Sequence, residues 1–437
     1  MNWLNFLQTK RECHIKFGRG TNAQIAKDEE ELFNKSYESF EKKEILNAYE
    51  YFLNSLINYT NDISNENILI NKDDDKLNFT IYQGSAKIHG TITENHLYAE
   101  VILVKKEAST VALKRKILER NYQFTYINYL SDDEFIKLKL YQDNITMSPQ
   151  KIFFPLRELA LNADFDKEHI VSEFTDISLQ EIEHLSPLNE KELQVKYKYL
   201  QKWIEELNQK VLTLPSNDNA GMQAFLYLNI LFKIDYLLSP KYKIYQKLSK
   251  KLQEYFSDEN ATIEAKNEEL KKYVQKLQDM KYDDFASNFY EAKYTFNPVE
   301  KSSYEEFINF VNESLIKIRW YKNNRYTQIT PTIYRYIAFY SLYNYGLNSV
   351  LKELLHTLVE IQNPSFFKAL ECPTLYDEEK ESFSKRNIVS KIDEIIGAGQ
   401  EKYKELLSFS EELNFNSMNE FSNSYYLSLK NLDFEEI

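Results

Sequence analysis

Apolar residues recur every three to four positions from residue 28 to 60, with Leu32, Phe33, Tyr37, Phe40, Ile45, Tyr49, Phe52 and Leu56 set among Glu and Lys. That spacing predicts an amphipathic helix whose stripe needs a partner. The period then changes to two. Leu77, Phe79 and Ile81 alternate with Asn78, Thr80 and Tyr82, and Ala86, Ile88 and Ile92 alternate with Lys87, His89, Thr91 and Thr93. These are half-buried strands, turned at Gln83-Gly84-Ser85 and Glu94-Asn95-His96. Leu97 to Lys105 is largely apolar on both faces, which places it centrally in an antiparallel meander. Ser109 is positioned to cap a helix carrying Leu113, Ile117 and Leu118. Strands over Phe124 to Leu130 and Phe135 to Tyr141 follow, and Pro155 fits the first turn of a further helix.

Between Asp176 and Asn189 the pattern loosens, and no strand alternation returns after it. Ser186 and Pro187 open a predicted helix through Leu193, Leu200 and Leu207. Further helical stretches cover about 222–238, 241–256, 262–280 and 283–293, before Pro298 breaks the series. Ser303 with Glu306 matches a capping box, Thr330-Pro331 begins the next helix, and Gly346 is placed to end it. Leu351, Leu354, Leu358 and Ile361 form another stripe. Gly397-Ala398-Gly399 reads as a break between helices, and the acidic tail after Phe415 as a weakly patterned end that frays. The expected architecture is α+β: an N-terminal antiparallel sheet with flanking helices over 1–175, then a larger all-α region, a bundle or degenerate helical hairpins, over 186–437.

The order of elements over residues 28–175 carries a resemblance. Val111 to Tyr122 leads into Phe124-Thr-Tyr-Ile-Asn-Tyr-Leu130, and Leu156-Arg-Glu-Leu-Ala-Leu-Asn-Ala-Asp164 follows. This stretch resembles the YbjN family and the related class I type III secretion chaperones. The resemblance implies a protein-binding or chaperone-like role and, from the secretion chaperones, an acidic homodimer. The long helical half departs from those small chaperones.

Composition narrows the chemistry. With 8 glycines in 437 residues, the chain has no loop built to bring backbone amides onto phosphate. Phe-Gly-Arg-Gly at Gly18 and Gly20, and Gly397 with Gly399, complete no such spacing. A net charge of -13 disfavours nucleic acid as a partner. Cys13 and Cys372 stand alone, so a disulfide framework or cysteine-ligated zinc is not expected and a reducing cytoplasm fits. The N-terminus lacks a signal-peptide pattern. Pro331 to Val350 holds Arg335 as its one formal charge, but Asn344, Gly346, Asn348 and five tyrosines make it a buried helix, not a membrane span.

No catalytic or metal spacing emerges, and no cofactor is expected. His14, His89, His96, His169, His184 and His356 are scattered. His89 and His96 read as a polar outer sheet face, His169 with Glu173 as a solvated pair, and Asp73-Asp74-Asp75 as a charged turn. One region invites a functional reading: Arg319, Trp320, Arg325, Tyr334 and Arg335 lie close together, and aromatic and guanidinium groups are strong anchors when desolvated. The same residues suit a tyrosine-rich core. The leading expectation is a non-enzymatic cytoplasmic protein-interaction module with these five residues as candidate partner contacts. The alternative is a ligand-binding protein or enzyme with a pocket between the two regions, using Arg319, Arg325 and Arg335.

Overall fold

The computed structural model describes residues 13, 15–18, 27–57, 67–174, 176–215 and 219–436. Two helices, α1 (Lys27–Glu41) and α2 (Ile45–Asn54), lead into strands β1 (Ile68–Lys72), β2 (Lys76–Gln83), β3 (Ala86–Thr93) and β4 (His96–Lys105). Helix α3 (Val111–Asn121), strands β5 (Ile127–Ser131) and β6 (Phe135–Asp143), and the long helix α4 (Pro149–Glu173) follow. The six strands form one antiparallel sheet in the order β1-β2-β3-β4-β6-β5.

Alternation decides which face is covered. Leu77, Phe79, Ile81, Ile88, Ile92, Val101, Leu138 and Leu140 point one way and are buried against Tyr49, Phe52 and Leu53 of α2 and Ile152, Leu156, Leu159 and Ala163 of α4. Fully burying one such aliphatic or aromatic side chain contributes about 1.5–3 kcal/mol. The other face is polar, with Thr80, His89, Glu100 and Lys139 in register across four strands. His89 meets Glu181 at 2.9 Å, and the His96 ring stacks on Tyr141.

Several local expectations are corrected. The single helix over 28–60 is two, because Lys43 adopts a left-handed φ of 63° and the amides of Lys43 and Glu44 close back onto Phe40 and Ser39; residues 58–60 lie outside the described residues. Strand β1 adds an edge that the alternation missed. Thr110, not Ser109, caps α3 by accepting from the Leu113 amide. Strand β5 begins at Ile127 because the Glu158 carboxylate takes the amides of Thr125, Tyr126 and Ile127. Ser148 and Pro149 start α4, so Pro155 lies inside that helix.

The helical half contains α5 (Glu190–Leu212), α6 (Ala220–Lys233) running into a π-turn (Ile234–Leu238), α7 (Tyr242–Ser257), α8 (Ile263–Gln278) and the short α9 (Tyr282–Ala286). Then come α10 (Tyr304–Asn323), α11 (Thr330–Asn344), α12 (Ser349–Gln362), α13 (Pro364–Ala369), a small ribbon of β7 (Tyr376–Asp377) and β8 (Ser382–Phe383), α14 (Lys385–Gly399) and α15 (Met418–Leu429). Asn189 caps α5, three residues beyond Ser186, which bridges to Glu291 instead. Helix α9 stops at Ala286, short of the expected 293. The Ser303–Glu306 capping box of α10 is present in both directions. Gly397 and Gly399 lie within α14 and break nothing before its end. The tail does not fray: Phe421, Tyr425, Tyr426 and Leu429 of α15 are fully buried. Cys13 and Cys372 are joined by a disulfide with Cα atoms 4.8 Å apart, against the expectation of unpaired cysteines.

The two halves meet through residues 288–297. Phe296 is 2 % exposed inside the sheet core. Gln83, itself buried, accepts from the amides of Thr295 (3.0 Å) and Phe296 (2.8 Å) and donates to the Phe296 carbonyl (3.2 Å). One glutamine thus supplies the pairing that a neighbouring strand would otherwise give, and the amide and carbonyl of the buried Phe296 are both satisfied. Tyr290 reaches α4 by donating to Glu168 at 2.6 Å. No helix of the described residues is long and apolar enough to cross a membrane.

Candidate functional site

Helix α10 presents Phe310, Ser314, Lys317 and Tyr321 at spacings of four, three and four, so they share one face. That face does not close against its neighbours. Together with Trp320, it lines a groove of about 410 Å³ whose other walls are Phe225 and Leu228 of α6, Tyr255 and Phe256 of α7, Ile263 of α8 and Tyr336 of α11. Phe225 sits edge-on to Tyr336, 5.2 Å between centroids, and to Tyr321 at 6.2 Å. Trp320 is held edge-on against Tyr321 at 5.0 Å and stacks on Tyr326 at 6.4 Å. Trp320 nevertheless remains 55 % exposed, and Phe256 and Ile263 of the lining are also exposed. Such side chains in a concave setting mark a contact surface better than scattered apolar residues do.

The groove's electrostatics favour binding over proton chemistry. Burial pushes the Tyr255, Tyr321 and Tyr336 phenols above their ordinary range, so they stay protonated near neutrality and act as hydrogen-bonding groups, not as bases. No histidine, cysteine or carboxylate is among the described lining residues. Lys317 is the lining cation, and Lys266 lies with its Nζ 5.4 Å from the Tyr255 ring centroid.

The five sequence candidates are not brought together. Trp320 is in the groove. Arg319 and Arg325 are exposed and stand outside its lining. Tyr334 is 1 % exposed on another face of α11, where its ring stacks on Tyr426 (6.4 Å, 9°), its hydroxyl meets Asn423 at 3.1 Å, and its carbonyl accepts from the Tyr426 hydroxyl at 2.7 Å. Burial raises its phenol to about 12. Arg335 turns toward α5, where burial pushes its pKa down against the partial compensation of Glu206 and Glu378. A cavity of about 400 Å³ beside residues 297–300, lined also by Tyr236, Tyr343, Tyr345 and Lys352, contains none of Arg319, Arg325 or Arg335.

Arg335 shares its surroundings with other cations. Lys233 is 9 % exposed, with its Nζ 3.9 Å from the Trp203 ring centroid. Burial first, and the Arg335 charge second, push its ammonium well below the ordinary lysine range. Lys210 is lowered for the same two reasons, while Glu206 pairs with Lys202 at 3.8 Å. Lys233→Met keeps the packing on Trp203 and removes the cost of burying an amine that is protonated in the unfolded chain, and is expected to stabilise the protein by about 1–3 kcal/mol at neutral pH. The sign with pH is fixed: between the depressed folded pKa and the unfolded value near 10.5, the unfolded chain holds a proton that the native state lacks, so this contribution rises with pH. Urea midpoints from pH 7 to 10 should show a slope from this group in the wild type that Lys233→Met loses.

Among the described residues, no three His, Cys, Asp or Glu side chains stand together as metal ligands. His169, which the sequence pairs with Glu173 in solvent, instead contacts Gln246 at 2.8 Å and Lys116, and its ring stacks on Phe165. No family model matches the chain, and no curated protein does either. Sequence reasoning found Trp320 and missed Phe225, Tyr255, Phe256 and Phe310. Each of these reads as an ordinary core position on its own helix, and only helix pairing leaves them around one opening.

Proposed function

We propose that the chain is a non-enzymatic binding protein that holds a partner polypeptide segment in the groove around Trp320. The carrying observation is Trp320 itself: an aromatic residue fixed by Tyr321 and Tyr326 yet 55 % exposed at the lip of an apolar concavity. A rigid exposed aromatic loses little entropy on binding and gains the full benefit of desolvation. The groove's size suits one or two large apolar side chains. Lys317 and Lys266 favour a segment whose anchor is followed or preceded by a carboxylate. The order of strands and helices that resembles secretion chaperones supports the same general role.

Peptide display on the intact protein tests the reading. Enriched peptides are expected to carry an aromatic or large aliphatic anchor beside an acidic residue. Trp320→Ala should weaken them about 30-fold, corresponding to about 2 kcal/mol at a hot spot. Lys317→Glu should weaken them less, and Arg325→Ala should leave them nearly unchanged. Peptides indifferent to Trp320→Ala, or no enrichment at all, would reject the groove as the binding site.

A further inference from the structure

Residues 13 and 15–18 precede the sheet in sequence but are seated on the helical half. Cys13, Ile15 and Phe17 pack against the helical core. The Phe17 ring lies 5.3 Å from the His356 ring, 5.2 Å from Phe367 and 6.4 Å, edge-on, from Phe366. Behind this contact, Phe366 meets Tyr199 at 5.2 Å and Trp203 at 5.1 Å. The imidazole is fixed before any ring reaches it. The Tyr236 hydroxyl holds Nδ1 at 2.9 Å, and Glu360, paired with Lys391, holds Nε2 at 3.2 Å.

The next residue is recognised through its backbone. The Gly18 amide donates to the Tyr236 carbonyl at 2.8 Å and to Ser239 Oγ at 3.0 Å. The first acceptor lies in the π-turn that ends α6, and the second is the residue that follows it. A widened helix end leaves carbonyls without partners in their own helix, and Ser239 leaves it in a left-handed conformation with φ 52°. Gly18 has φ +74°, and a Cβ on it would stand 2.9 Å from the Tyr236 ring. The site therefore selects twice: for an aromatic ring, and for a glycine directly after it. At the upstream end, Cys13 is bonded to Cys372, a few residues beyond the helix that carries Phe366 and Phe367.

We infer that this surface is a recognition socket for an extended polypeptide bearing Phe-Gly, that residues 15–18 are its resident occupant, and that the Cys13–Cys372 disulfide retains them. The socket is separate from the Trp320 groove and does not rest on it. A tethered occupant acts at an effective concentration in about the millimolar range, so a micromolar competitor in solution cannot displace it. Opening the disulfide removes the upstream tether. A small dithiol accomplishes this in a balanced exchange. One thiolate bonds to Cys13 Sγ and Cys372 leaves as a thiolate that takes up a proton. The second sulfur then closes on the first, and Cys13 leaves as a thiol. Both cysteines end reduced and the dithiol ends as its cyclic disulfide.

The probe is a labelled peptide of residues 13–20 carrying Cys13→Ser, titrated into the full-length protein and followed by fluorescence anisotropy. Oxidised wild type is expected not to bind it. Reduced protein carrying Phe17→Ala, whose resident ring is gone, should bind it at least tenfold more tightly than the same peptide carrying Phe17→Ala or Gly18→Ala. Absence of binding, or equal binding of all three peptides, would overturn the socket. Hydrogen exchange of the wild type keeps the test independent of the variant. Protection of the Gly18 amide should fall at least tenfold on adding dithiol while amides in α15 keep theirs. Unchanged exchange at Gly18, or alkylation of both cysteines in unreduced protein, would overturn the clasp.

Discussion

Tyr425→Ala is expected to cost the protein about 3–5 kcal/mol of stability, the range for truncating a large buried aromatic. The residue is 0 % exposed, although only 12 residues follow it in the sequence. Its ring packs edge-on to Phe409 at 5.3 Å and against Phe421 at 5.6 Å, and its hydroxyl donates to the Leu354 carbonyl at 2.8 Å. Truncation removes the ring contacts and leaves that carbonyl of α12 without this donor. Tyr425→Phe separates the two losses and should cost about 1 kcal/mol, the net worth of one hydrogen bond. Urea denaturation followed by far-ultraviolet circular dichroism measures both. A Tyr425→Ala protein within 1 kcal/mol of wild type would mean that α15 contributes little to the helical core.

Gly84→Ala should be about as damaging, at about 2–5 kcal/mol, although it adds one methyl group in a hairpin turn. Gly84 has φ +55°, where an alanine costs about 1–2 kcal/mol. The added Cβ would also lie 2.2 Å from Asp164 Oδ2. That carboxylate is buried, which raises its pKa, and it accepts from the Ser85 amide at 2.7 Å and the Ser85 hydroxyl at 2.8 Å. Displacing it strips donors from a desolvated acid, worth about 1–3 kcal/mol more. The turn also donates from the Gly84 amide to Lys293 at 2.8 Å, and its carbonyl meets His184 at 3.1 Å. It therefore joins the sheet to α4, to the 176–189 segment and to the strand-like stretch around Phe296. Ser85→Ala keeps the backbone and should cost clearly less. Equal denaturation midpoints for Gly84→Ala and wild type would show that the turn relaxes away from Asp164 without penalty.

The sheet was the most legible part of this chain. Alternation over Leu77–Ile81 and Ala86–Ile92 assigned each side chain to the face it occupies, because a strand's period of two leaves no intermediate choice. Strand β1 was hidden because Ile68-Leu-Ile-Asn-Lys72 does not alternate and pairs on one side only. Lys43 ends α1 without glycine or proline to signal it. Helix α15 was obscured by the Asn and Ser between Phe421, Tyr425, Tyr426 and Leu429, although those four share a helical face. The groove shows a harder limit. On α11, Tyr334, Arg335 and Tyr336 are successive residues about 100° apart, and each faces a different neighbour. A helix apolar on most sides does not declare which side meets which partner. Trp320 was found from its local company; Phe225 and Tyr255, remote in sequence, required the packing of α6 and α7 against α10 and α11.

The bond between Cys13 and Cys372 closes a covalent ring spanning 359 residues of sequence, with the entire sheet and α5 to α13 inside it. Under mechanical load applied at the two ends, tension crosses from Cys13 directly to Cys372. The sheet carries none of it. Only the chain before Cys13 and residues 373–437, with α14 and α15, lie on the loaded path. Cutting that one bond adds about 1,200 Å of extensible contour at ~3.4 Å per residue. The weakest mechanical element of the oxidised molecule is thus set by its C-terminal helices, and that of the reduced molecule by whichever half yields first.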